Sequence, residues 1–332
     1  MSKYISLNEK IFVAGSSGMA GSAIVRQLYK QGYGNSIHNG IIYTPSRKEL
    51  DLSDLKAVEE WFNKFTPSVV ILAAAKVGGI FANASYPGDF ILENLKIQTN
   101  LVEVAWKYNV KRLLFLGSSC IYPKFSKQPI KEEHLMDSKL EKTNEAYAIA
   151  KIAGIKLCQF LREQYGFDAI SLMPTNLYGE GDNYHPEESH VMASLIRKFC
   201  EGTKNKSPYI TCWGSGRPLR EFMHVDDLAS AVIFALEKWN PDSKDAPLSE
   251  EGVSLTHLNV GTGIDISIKD LALKIAETAK YEGEIKWDRN KPDGTPRKNL
   301  DISKITKLGW EPKIKLEEGI KKTVEKFFQE NN

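Results

Sequence analysis

The chain of 332 residues is long enough to bury a large core, and its length corresponds to one large domain or two modest ones. Hydrophobic residues make up 42% and charged residues 26%, which is ordinary for a globular enzyme. With 44 basic and 42 acidic residues the formal net charge is +2, so no global field selects nucleic acid, although a local basic patch for a phosphorylated small molecule remains open. No segment reaches the roughly 18 apolar residues of a membrane-spanning helix. We therefore expect neither a nucleic acid nor a membrane as partner.

The cysteines point to a reducing environment. Cys120, Cys158, Cys200 and Cys212 show neither the spacing of a disulfide pair nor that of a metal site. We expect reduced thiols, no bound metal and a cytoplasmic protein.

The chain begins with a predicted strand, Lys10 to Gly15, that leads directly into a glycine-rich turn. The turn is Gly15-Ser16-Ser17-Gly18-Met19-Ala20-Gly21, and a predicted helix follows from Ser22 to Lys30. Glycines three residues apart permit a tight turn, close approach to a pyrophosphate and close packing of helix on strand. The helix N-terminus adds free N–H groups. We predict a dinucleotide phosphate site here, with an ordinary glycine-rich turn as the alternative.

The end of the second predicted strand, 41–43, bears on the choice of cofactor. NAD-selective sites usually place an acidic residue there to hold the ribose hydroxyls, and this chain has none. Arg47 lies close by and favours a 2′-phosphate, hence NADP(H). The alternative is that Arg47 is a solvated surface charge.

Strands and helices alternate up to Gly179, which predicts a doubly wound, Rossmann-like parallel sheet. Helix 54–65, with Ser53 as its N-cap, precedes an apolar strand at 69–75. The next elements are helix 89–109, strand 113–116, helix 143–165 and strand 169–179. Later elements, including an amphipathic helix at 191–200, a strand at 209–213 and a helix at 228–239, indicate a smaller C-terminal α/β substrate domain. The predicted division is 1–179 plus about 221–263 for the cofactor domain, and about 180–220 plus 264–332 for the substrate domain.

A candidate reaction centre combines the end of the fourth strand with the helix that follows it. Ser118 and Cys120 come just after the strand, and Tyr147 and Lys151 share one face of a helix because they are four residues apart. A free tyrosine has a pKa of about 10, and a nearby ammonium is expected to lower it for acid–base work. A Tyr-x-x-x-Lys spacing alone occurs at close to the frequency expected by chance. Its combination with the glycine-rich turn and with Ser118 at the end of the fourth strand is what indicates a catalytic role.

Several longer motifs carry a resemblance to a known family. They are AAAKVGGI at 73–80, GSSCIYP at 117–123, NEAYAIAK at 144–151, MPTNLYG at 173–179, His185-Pro186 with Ser189-His190-Val191, WGSG at 213–216, REFMHVDD at 220–227 and KPDGTPRK at 291–298. With them the chain resembles the GDP-L-fucose synthases, extended members of the short-chain dehydrogenase/reductase superfamily. That resemblance spans nearly the whole chain. It implies conversion of GDP-4-keto-6-deoxy-D-mannose to GDP-L-fucose, by epimerisation at C3 and C5 and NADPH-dependent reduction at C4.

The resemblance also assigns roles. Cys120 is implied as the base and His190 as the acid of epimerisation, whereas Tyr147, with Lys151 and Ser118, protonates the C4 oxygen. Further implied cofactor contacts are Leu116, Gly117, Ser118, Ser119, Tyr147, Lys151, Pro174, Thr175, Asn176, Leu177 and His190. Implied GDP-sugar contacts are Lys198, Trp213, Arg220 and Asp293. The alternative for Lys198 is a solvated charge on the helix surface, with the preceding Arg197 as the residue that contacts the substrate instead. Some members carry an arginine where this chain has Ser17, which makes the preference for NADP less secure.

Other functions remain open at this point. Another nucleotide-sugar 4-epimerase or 4,6-dehydratase shares Tyr-x-x-x-Lys, but a 4-epimerase does not need the Cys120–His190 pair, and a dehydratase usually has Asp-Glu where Cys120-Ile121 stands. The single-residue alternatives are a buried structural thiol for Cys120 and a cap or surface residue for His190. A catalytically silent NADP-binding regulator is expected to have lost Ser118, Tyr147 or Lys151. Helices 89–109 and 143–165 resemble the pair that forms homodimers in this superfamily.

Overall fold

The computed structural model describes residues 3–291 and 293–331. Met1, Ser2 and Asn332, at the ends of the predicted domains, and Pro292 of the last motif lie outside the described residues. The strands are β1 Lys10–Ala14, β2 Ile41–Tyr43, β3 Val69–Leu72, β4 Arg112–Leu116, β5 Ala169–Pro174, β6 Asn176–Tyr178, β7 Tyr209–Trp213, β8 Leu219–His224, β9 His257–Val260, β10 Asp265–Ser267, β11 Glu284–Asp288 and β12 Arg297–Lys298. The helices are α1 Met19–Lys30, α2 Leu55–Phe65, α3 Ile80–Ser85, α4 Pro87–Lys107, α5 Glu145–Tyr165, α6 Val191–Lys204, α7 Val225–Lys238, α8 Ile268–Thr278, α9 Ser303–Leu308 and α10 Leu316–Glu330.

A parallel sheet in the order β2-β1-β3-β4-β5-β9 forms the centre of the molecule. Successive side chains of β1 point to opposite faces, so Ile11 and Val13 pack with α1 and α7, whereas Phe12 packs with α2 and α4. Both faces of the sheet are therefore covered, which explains why β3 and β4 are almost entirely apolar. The predicted doubly wound, Rossmann-like architecture is confirmed.

The C-terminal half adds smaller mixed sheets. β8 pairs with β6 and β12 in parallel and with β10 antiparallel, while β7 pairs with β11. A separate apolar cluster, formed largely by α6, α8 and α10, packs against these strands. The chain also returns to the first half, because α7 packs on α1 and β9 completes the large sheet.

The predicted single strand 169–179 is wrong, because the chain changes sheets within it. β5 ends at Pro174, which has no N–H to continue the ladder. Thr175 still donates its N–H to the Val260 carbonyl at 3.0 Å, and the next three residues form β6, which pairs with β8 in another sheet. The chain thus passes directly from the large sheet to the smaller sheet of the C-terminal half.

Several helix starts also differ from the predictions; α4 begins at Pro87 rather than 89, and α5 at Glu145 rather than 143. The side chain of Asp54, not Ser53, caps α2 by accepting the Ala57 N–H at 3.2 Å, while Ser53 donates to Asp51. α7 begins at Val225 rather than 228, because the His224 side chain accepts the Asp226 N–H and caps it. α1 begins at Met19 rather than Ser22, within the glycine-rich turn itself.

Glu221 on β8 joins the two halves of the molecule. Its side chain is fully buried, and its carboxylate accepts N–H groups from Thr262, Gly263 (3.0 Å) and Leu300 (2.8 Å). Its backbone carbonyl accepts the Asn176 amide at 2.7 Å. Burial raises the pKa of this carboxyl, and the three backbone donors act in the opposite direction by stabilising the charged form.

We predict that Glu221→Gln lowers the free energy of unfolding by about 2 kcal/mol, because an amide nitrogen then faces a buried N–H donor. Urea unfolding followed by circular dichroism measures the loss. The exposed Glu282→Gln serves as the control, with a change within about 0.5 kcal/mol. A Glu221→Gln protein as stable as the wild type would show that the three hydrogen bonds are not required.

Candidate active site

The glycine-rich turn brings the N-terminus of α1 against the end of β1. Gly15 has a φ of +85°, and a Cβ on Gly21 would lie 2.0 Å from the Gly15 carbonyl oxygen, so no side chain fits there. The N-cap Gly18 contributes no side chain to the first turn of α1. The first N–H groups of this helix, from Met19 onward, are therefore free for an anion. A backbone cradle of this kind fits the pyrophosphate of a dinucleotide.

Ser17 of this turn and Arg47, four residues beyond β2, are the residues that the sequence relates to the adenosine end of the cofactor. Both side chains are exposed. Arg47 follows β2 and lies near Asp51, whose pKa is lowered mainly by the Ser53 hydrogen bonds and slightly by the Arg47 charge. An exposed guanidinium at this strand end suits a 2′-phosphate, as the sequence predicted.

The end of β4 places Ser118 and Cys120 on one short turn. Ser118 is extended, and its hydroxyl accepts the Cys120 N–H at 3.3 Å, capping a 3₁₀ turn over Ser119–Ile121. Leu116 and Gly117 lead into this turn, and Ser119 is buried. The turn therefore holds a hydroxyl and a thiol side by side at the carboxyl edge of the sheet, where open α/β sheets bind their ligands.

Lys151 reaches this edge from α5. Its side chain is buried, its ammonium donates to the Leu116 carbonyl at 2.8 Å, and it lies 5.9 Å from the centre of the Tyr147 ring. Burial lowers the pKa of Lys151 to about 8, and the nearby Cys120 opposes that change.

The predicted lowering of the Tyr147 pKa is wrong for this state of the protein. Burial, with a smaller effect of Cys120, raises the pKa of Tyr147 well above its ordinary value. The reason is that the Lys151 ammonium is bound to the Leu116 carbonyl rather than to the phenol oxygen. Tyr147 is consequently protonated near neutral pH, the form that a proton donor requires.

Cys120 and His190 have opposite pKa shifts. Burial raises the pKa of the Cys120 thiol, while Lys298, the Ser118 hydroxyl and Lys151 stabilise the thiolate. His190 is the N-cap of α6; part of its surface is exposed, yet the surrounding protein atoms desolvate the imidazole, and this desolvation together with the Lys298 charge lowers its pKa. The resting forms are thus a thiol and a neutral imidazole, so a catalytic base role for Cys120 requires loss of its proton first.

Lys298 on β12 is a residue to which the sequence assigned no role, although the KPDGTPRK motif contains it. It lines the same small cavity as Cys120, and its charge acts on both Cys120 and His190. Burial lowers its own pKa. The signal available in the sequence was a lysine at the end of a recognisable motif. The pairing of β12 with β8 brings it to the site.

The predicted nicotinamide-side residues occupy the crossing from β5 to β6. Pro174 ends β5, Thr175 is buried and bonded to β9, and the Asn176 amide donates to the Glu221 carbonyl. Leu177 continues β6 beside β8. These hydrogen bonds fix the backbone at the point where the two halves of the chain meet.

The predicted GDP-sugar residues gather at the ends of β7 and β8. The half-exposed Trp213 ring has the Lys198 ammonium 5.7 Å and the Lys291 ammonium 5.0 Å from its centre, and Lys291 was not predicted. Burial lowers the pKa of the Arg220 guanidinium, and nearby Asp293 opposes it. An indole plane among cations suits a nucleoside diphosphate.

The Asp293 carboxylate, a predicted sugar or nucleotide contact, is hydrogen-bonded within the protein to the turn after Trp213. Its carboxylate accepts the Ser215 N–H at 2.6 Å and the Ser215 hydroxyl at 2.7 Å. It therefore fixes the turn that follows Trp213, while its charge reaches Arg220.

Within residues 3–291 and 293–331, no helix is long and apolar enough to cross a membrane. The same residues contain no group of three or more His, Cys, Asp or Glu side chains placed to hold a metal ion.

Comparison with known proteins gives the class. Residues 11–247 match the NAD dependent epimerase/dehydratase family, and the chain belongs to that family. GDP-L-fucose synthase 1 of Arabidopsis thaliana is 51% identical over 320 residues, covering 96% of this chain and 93% of the relative. GDP-L-fucose synthase of Escherichia coli is 48% identical over 321 residues, covering 97% of each. The resemblance to GDP-L-fucose synthases that the motifs predicted is confirmed.

A solved structure agrees with this grouping. A GDP-L-fucose synthetase from Naegleria fowleri bound to NADP superposes with a TM-score of 0.85 at 26% identity, covering 98% of this chain and 96% of that one.

The buried Lys151 predicts a measurable pH dependence of stability. Its pKa is about 8 in the folded protein against an ordinary 10.5, so between these values the unfolded chain binds more protons. The free energy of unfolding therefore rises with pH in this window relative to Lys151→Met, by about 2 kcal/mol between pH 7.5 and 9.5. Below about pH 8 that gain is absent.

Chemical denaturation at several pH values measures the difference between wild type and variant. For Lys96→Met, at an exposed site on α4, the free energy of unfolding should change with pH in the same way as that of the wild type over this range. A constant difference between wild type and Lys151→Met would contradict the buried, easily deprotonated ammonium.

Proposed function

We propose that this protein converts GDP-4-keto-6-deoxy-D-mannose to GDP-L-fucose with NADPH as reductant. The observation that carries the proposal is the pairing of two kinds of chemistry at one strand end. Ser118, Tyr147 and Lys151 form a carbonyl-reducing group, and Cys120 lies two residues from Ser118 with its thiol beside the same cations. A reductase alone does not need the thiol.

The cofactor fits the first half of the chain. The Gly15–Gly21 cradle and α1 would hold the pyrophosphate, Arg47 the 2′-phosphate, and the segment Pro174–Leu177 the nicotinamide side. When bound, NADPH supplies the hydride that reduces the C4 ketone. The NADP-bound relative from Naegleria fowleri supports this choice.

The epimerisations use the acidity of the carbons beside the ketone. Protons on C3 and C5 are acidic because the negative charge that forms on their removal is delocalised onto the C4 oxygen. Tyr147 and Ser118 donate hydrogen bonds to that oxygen. Transfer of one proton, through water, from the resting Cys120 thiol to the resting His190 imidazole forms a thiolate and an imidazolium. Cys120 then removes a carbon proton as thiolate, and His190 returns one from the opposite face as imidazolium. Each epimerisation ends with a thiol and a neutral imidazole, and the same transfer prepares the pair for the second carbon. Lys298 favours the thiolate form, and this contribution is needed because burial raises the pKa of the thiol.

The reduction uses the same oxygen. Tyr147 gives its proton to the C4 oxygen, and its raised pKa means that the proton is present at neutral pH. Lys151 then stabilises the phenolate that remains, since its ammonium is the nearest cation on the same helix face.

The GDP part would lie along the second half of the chain. The Trp213 ring offers a plane for a base or ribose, and Lys198 and Arg220 offer charge for the diphosphate. We propose the domain division 1–179 plus about 221–263, and about 180–220 plus 264–332. Its support is that α7 and β9 pack with the large sheet, whereas α6, α8 and α10 share a separate core. The reduced state of the cysteines supports a cytoplasmic location.

The function is tested by running the reaction in deuterated water with NADPH and the 4-keto-6-deoxy sugar nucleotide. The product should carry deuterium at both C3 and C5, as read by mass spectrometry and NMR. Cys120→Ser should slow exchange at these carbons by about 100-fold, while the Kd for NADPH changes less than about twofold.

The matched control is Cys158→Ser, which replaces a buried thiol on α5 that packs in the core. It should keep the exchange rate of the wild type. Reduced product without deuterium at C3 and C5 would point to a simple 4-reductase. Equal losses of exchange and NADPH binding in Cys120→Ser would point to a structural cysteine.

We also propose a homodimer formed through α4 and α5, the observed helices Pro87–Lys107 and Glu145–Tyr165. Leu92, Ile149 and Phe160 are large apolar side chains on these helices with 54%, 43% and 55% of their surfaces exposed. Packing two such helix pairs about a two-fold axis would cover all three.

Light scattering at micromolar concentration should therefore give twice the mass of one chain. The double variant Ile149→Glu with Phe160→Glu should give a monomer, because it places charges in the apolar contact. Leu273→Glu, at an exposed apolar site on α8, should remain dimeric. A wild-type monomer would reject the proposal.

A further inference from the structure

The loop that follows β3 is held by two buried side-chain amides. Asn94 on α4 accepts the Lys76 N–H and donates to the Lys76 carbonyl, both at 3.0 Å. Asn83 on α3 donates to the Gly78 carbonyl at 2.7 Å and to the Gly79 carbonyl at 3.0 Å. A loop whose backbone groups are bound to buried amides has little freedom to move.

Gly79 of this loop lies directly beneath the segment that precedes His190. Its N–H donates to the Glu188 carbonyl at 2.8 Å. A Cβ on Gly79 would lie 2.7 Å from the Ser189 carbonyl oxygen and 3.2 Å from that of Glu188. The φ of Gly79 is −66°, which any residue can adopt, so the requirement for glycine here is one of space.

His190 is thereby held from both sides. On its C-terminal side its carbonyl accepts the Ser194 N–H at 2.9 Å as α6 begins. On its N-terminal side the chain is bound to Gly79, so the catalytic imidazole is joined to the loop of the large sheet.

The same loop is joined to the helix that carries Tyr147. α4, which bears Asn94, also bears Phe90, whose ring meets the Tyr147 ring edge to face with centres 6.4 Å apart. α4 and α5 pack along their length. Lys76–Gly79 therefore connects the residue that begins α6 with the reducing group on α5.

We propose that Gly79 is a positioning residue for His190, and that its missing side chain sets the distance between the imidazole and the sugar carbons. This inference rests on the proposed function. Added bulk at Gly79 displaces the backbone of residues 188–189, and His190 moves with it. Proton transfer is sensitive to such a change, since a displacement of about 1 Å costs on the order of 100-fold in rate.

The test compares Gly79→Ala with Gly88→Ala in the deuterium exchange assay. Gly79→Ala should slow exchange at C3 and C5 at least about 30-fold, with the Kd for NADPH changed less than about twofold. A Cβ on Gly88 meets nothing within 4 Å, so Gly88→Ala should exchange at the wild-type rate. A wild-type enzyme that forms product without deuterium at C3 and C5 would reject the proposed function. Normal exchange in Gly79→Ala, with the wild type active, would reject the positioning role alone.

A double-mutant cycle separates positioning from general damage. If Gly79 acts through His190, the double variant Gly79→Ala with His190→Ala should exchange about as fast as His190→Ala alone. If the double variant instead loses exchange by the product of the two single losses, Gly79 acts independently of His190, and the inference is overturned.

Asn83→Ala provides the second variant if Gly79→Ala folds poorly. It removes the side-chain donor to the Gly78 and Gly79 carbonyls and keeps the backbone hydrogen bond from the Asn83 N–H to the Gly79 carbonyl, so its loss of exchange should likewise disappear in the His190→Ala background. An Asn83→Ala protein that is folded and exchanges at the wild-type rate would contradict the claim that this loop positions the histidine.

Discussion

One buried carboxylate determines how the two halves of this protein meet. Glu221 is enclosed on all sides, and its oxygens bind backbone N–H groups from the segment after β9 and from the segment after β12. A buried charge is costly unless it is fully bonded, so these segments cannot separate without leaving it unpaired. Its neighbour in sequence, Arg220, is paired with Lys298 in the same small sheet. The backbone carbonyl of Glu221 accepts the Asn176 amide, so this one residue ties the strand that carries Arg220 both to the segments after β9 and β12 and to the start of β6.

Burial also controls the proton chemistry of the site. The same desolvation lowers the pKa values of Lys151 and Lys298 and raises those of Cys120 and Tyr147. Attraction between the Cys120 thiolate and the two ammonium groups opposes these changes at Cys120, Lys151 and Lys298, whereas the charge of Cys120 adds to the raised pKa of Tyr147. Cys120 and Tyr147 are thus protonated and uncharged at rest, and an anion formed at Cys120 is stabilised by the Lys151 and Lys298 ammonium groups. A structural cysteine such as Cys158 lacks this arrangement, since its raised pKa of about 12 is opposed mainly by a Ser171 hydrogen bond.

The sequence predicted the parts of this molecule that depend on local pattern. Apolar runs identify strands buried on both faces, and the four-residue spacing of Tyr147 and Lys151 places them on one helix face. β9 was missed because His257 and Asn259 interrupt its apolar pattern. The His257 ring is bonded to the Glu132 carbonyl, and the Asn259 side chain donates to the Ile130 carbonyl and accepts the Tyr122 hydroxyl. The change of sheet at Pro174, the role of Lys298 and the contact between Asp293 and Ser215 also depend on residues distant in sequence. Such pairings cannot be read from the order of residues in one chain.

The proposed reaction explains why one cleft serves three steps. Both epimerised carbons flank the ketone that is later reduced, so charge develops on the same C4 oxygen in every step. Ser118 and Tyr147 need to be aligned with only that oxygen, and their alignment is kept throughout. What distinguishes the epimerisations is the pair Cys120 and His190, which come from different halves of the chain. The 3₁₀ turn after β4 positions the thiol through its own backbone, whereas the imidazole depends on a long connection. Placing the imidazole correctly is therefore the more demanding requirement. This requirement explains why a rigid loop after β3 of the large sheet is hydrogen-bonded to the segment before α6.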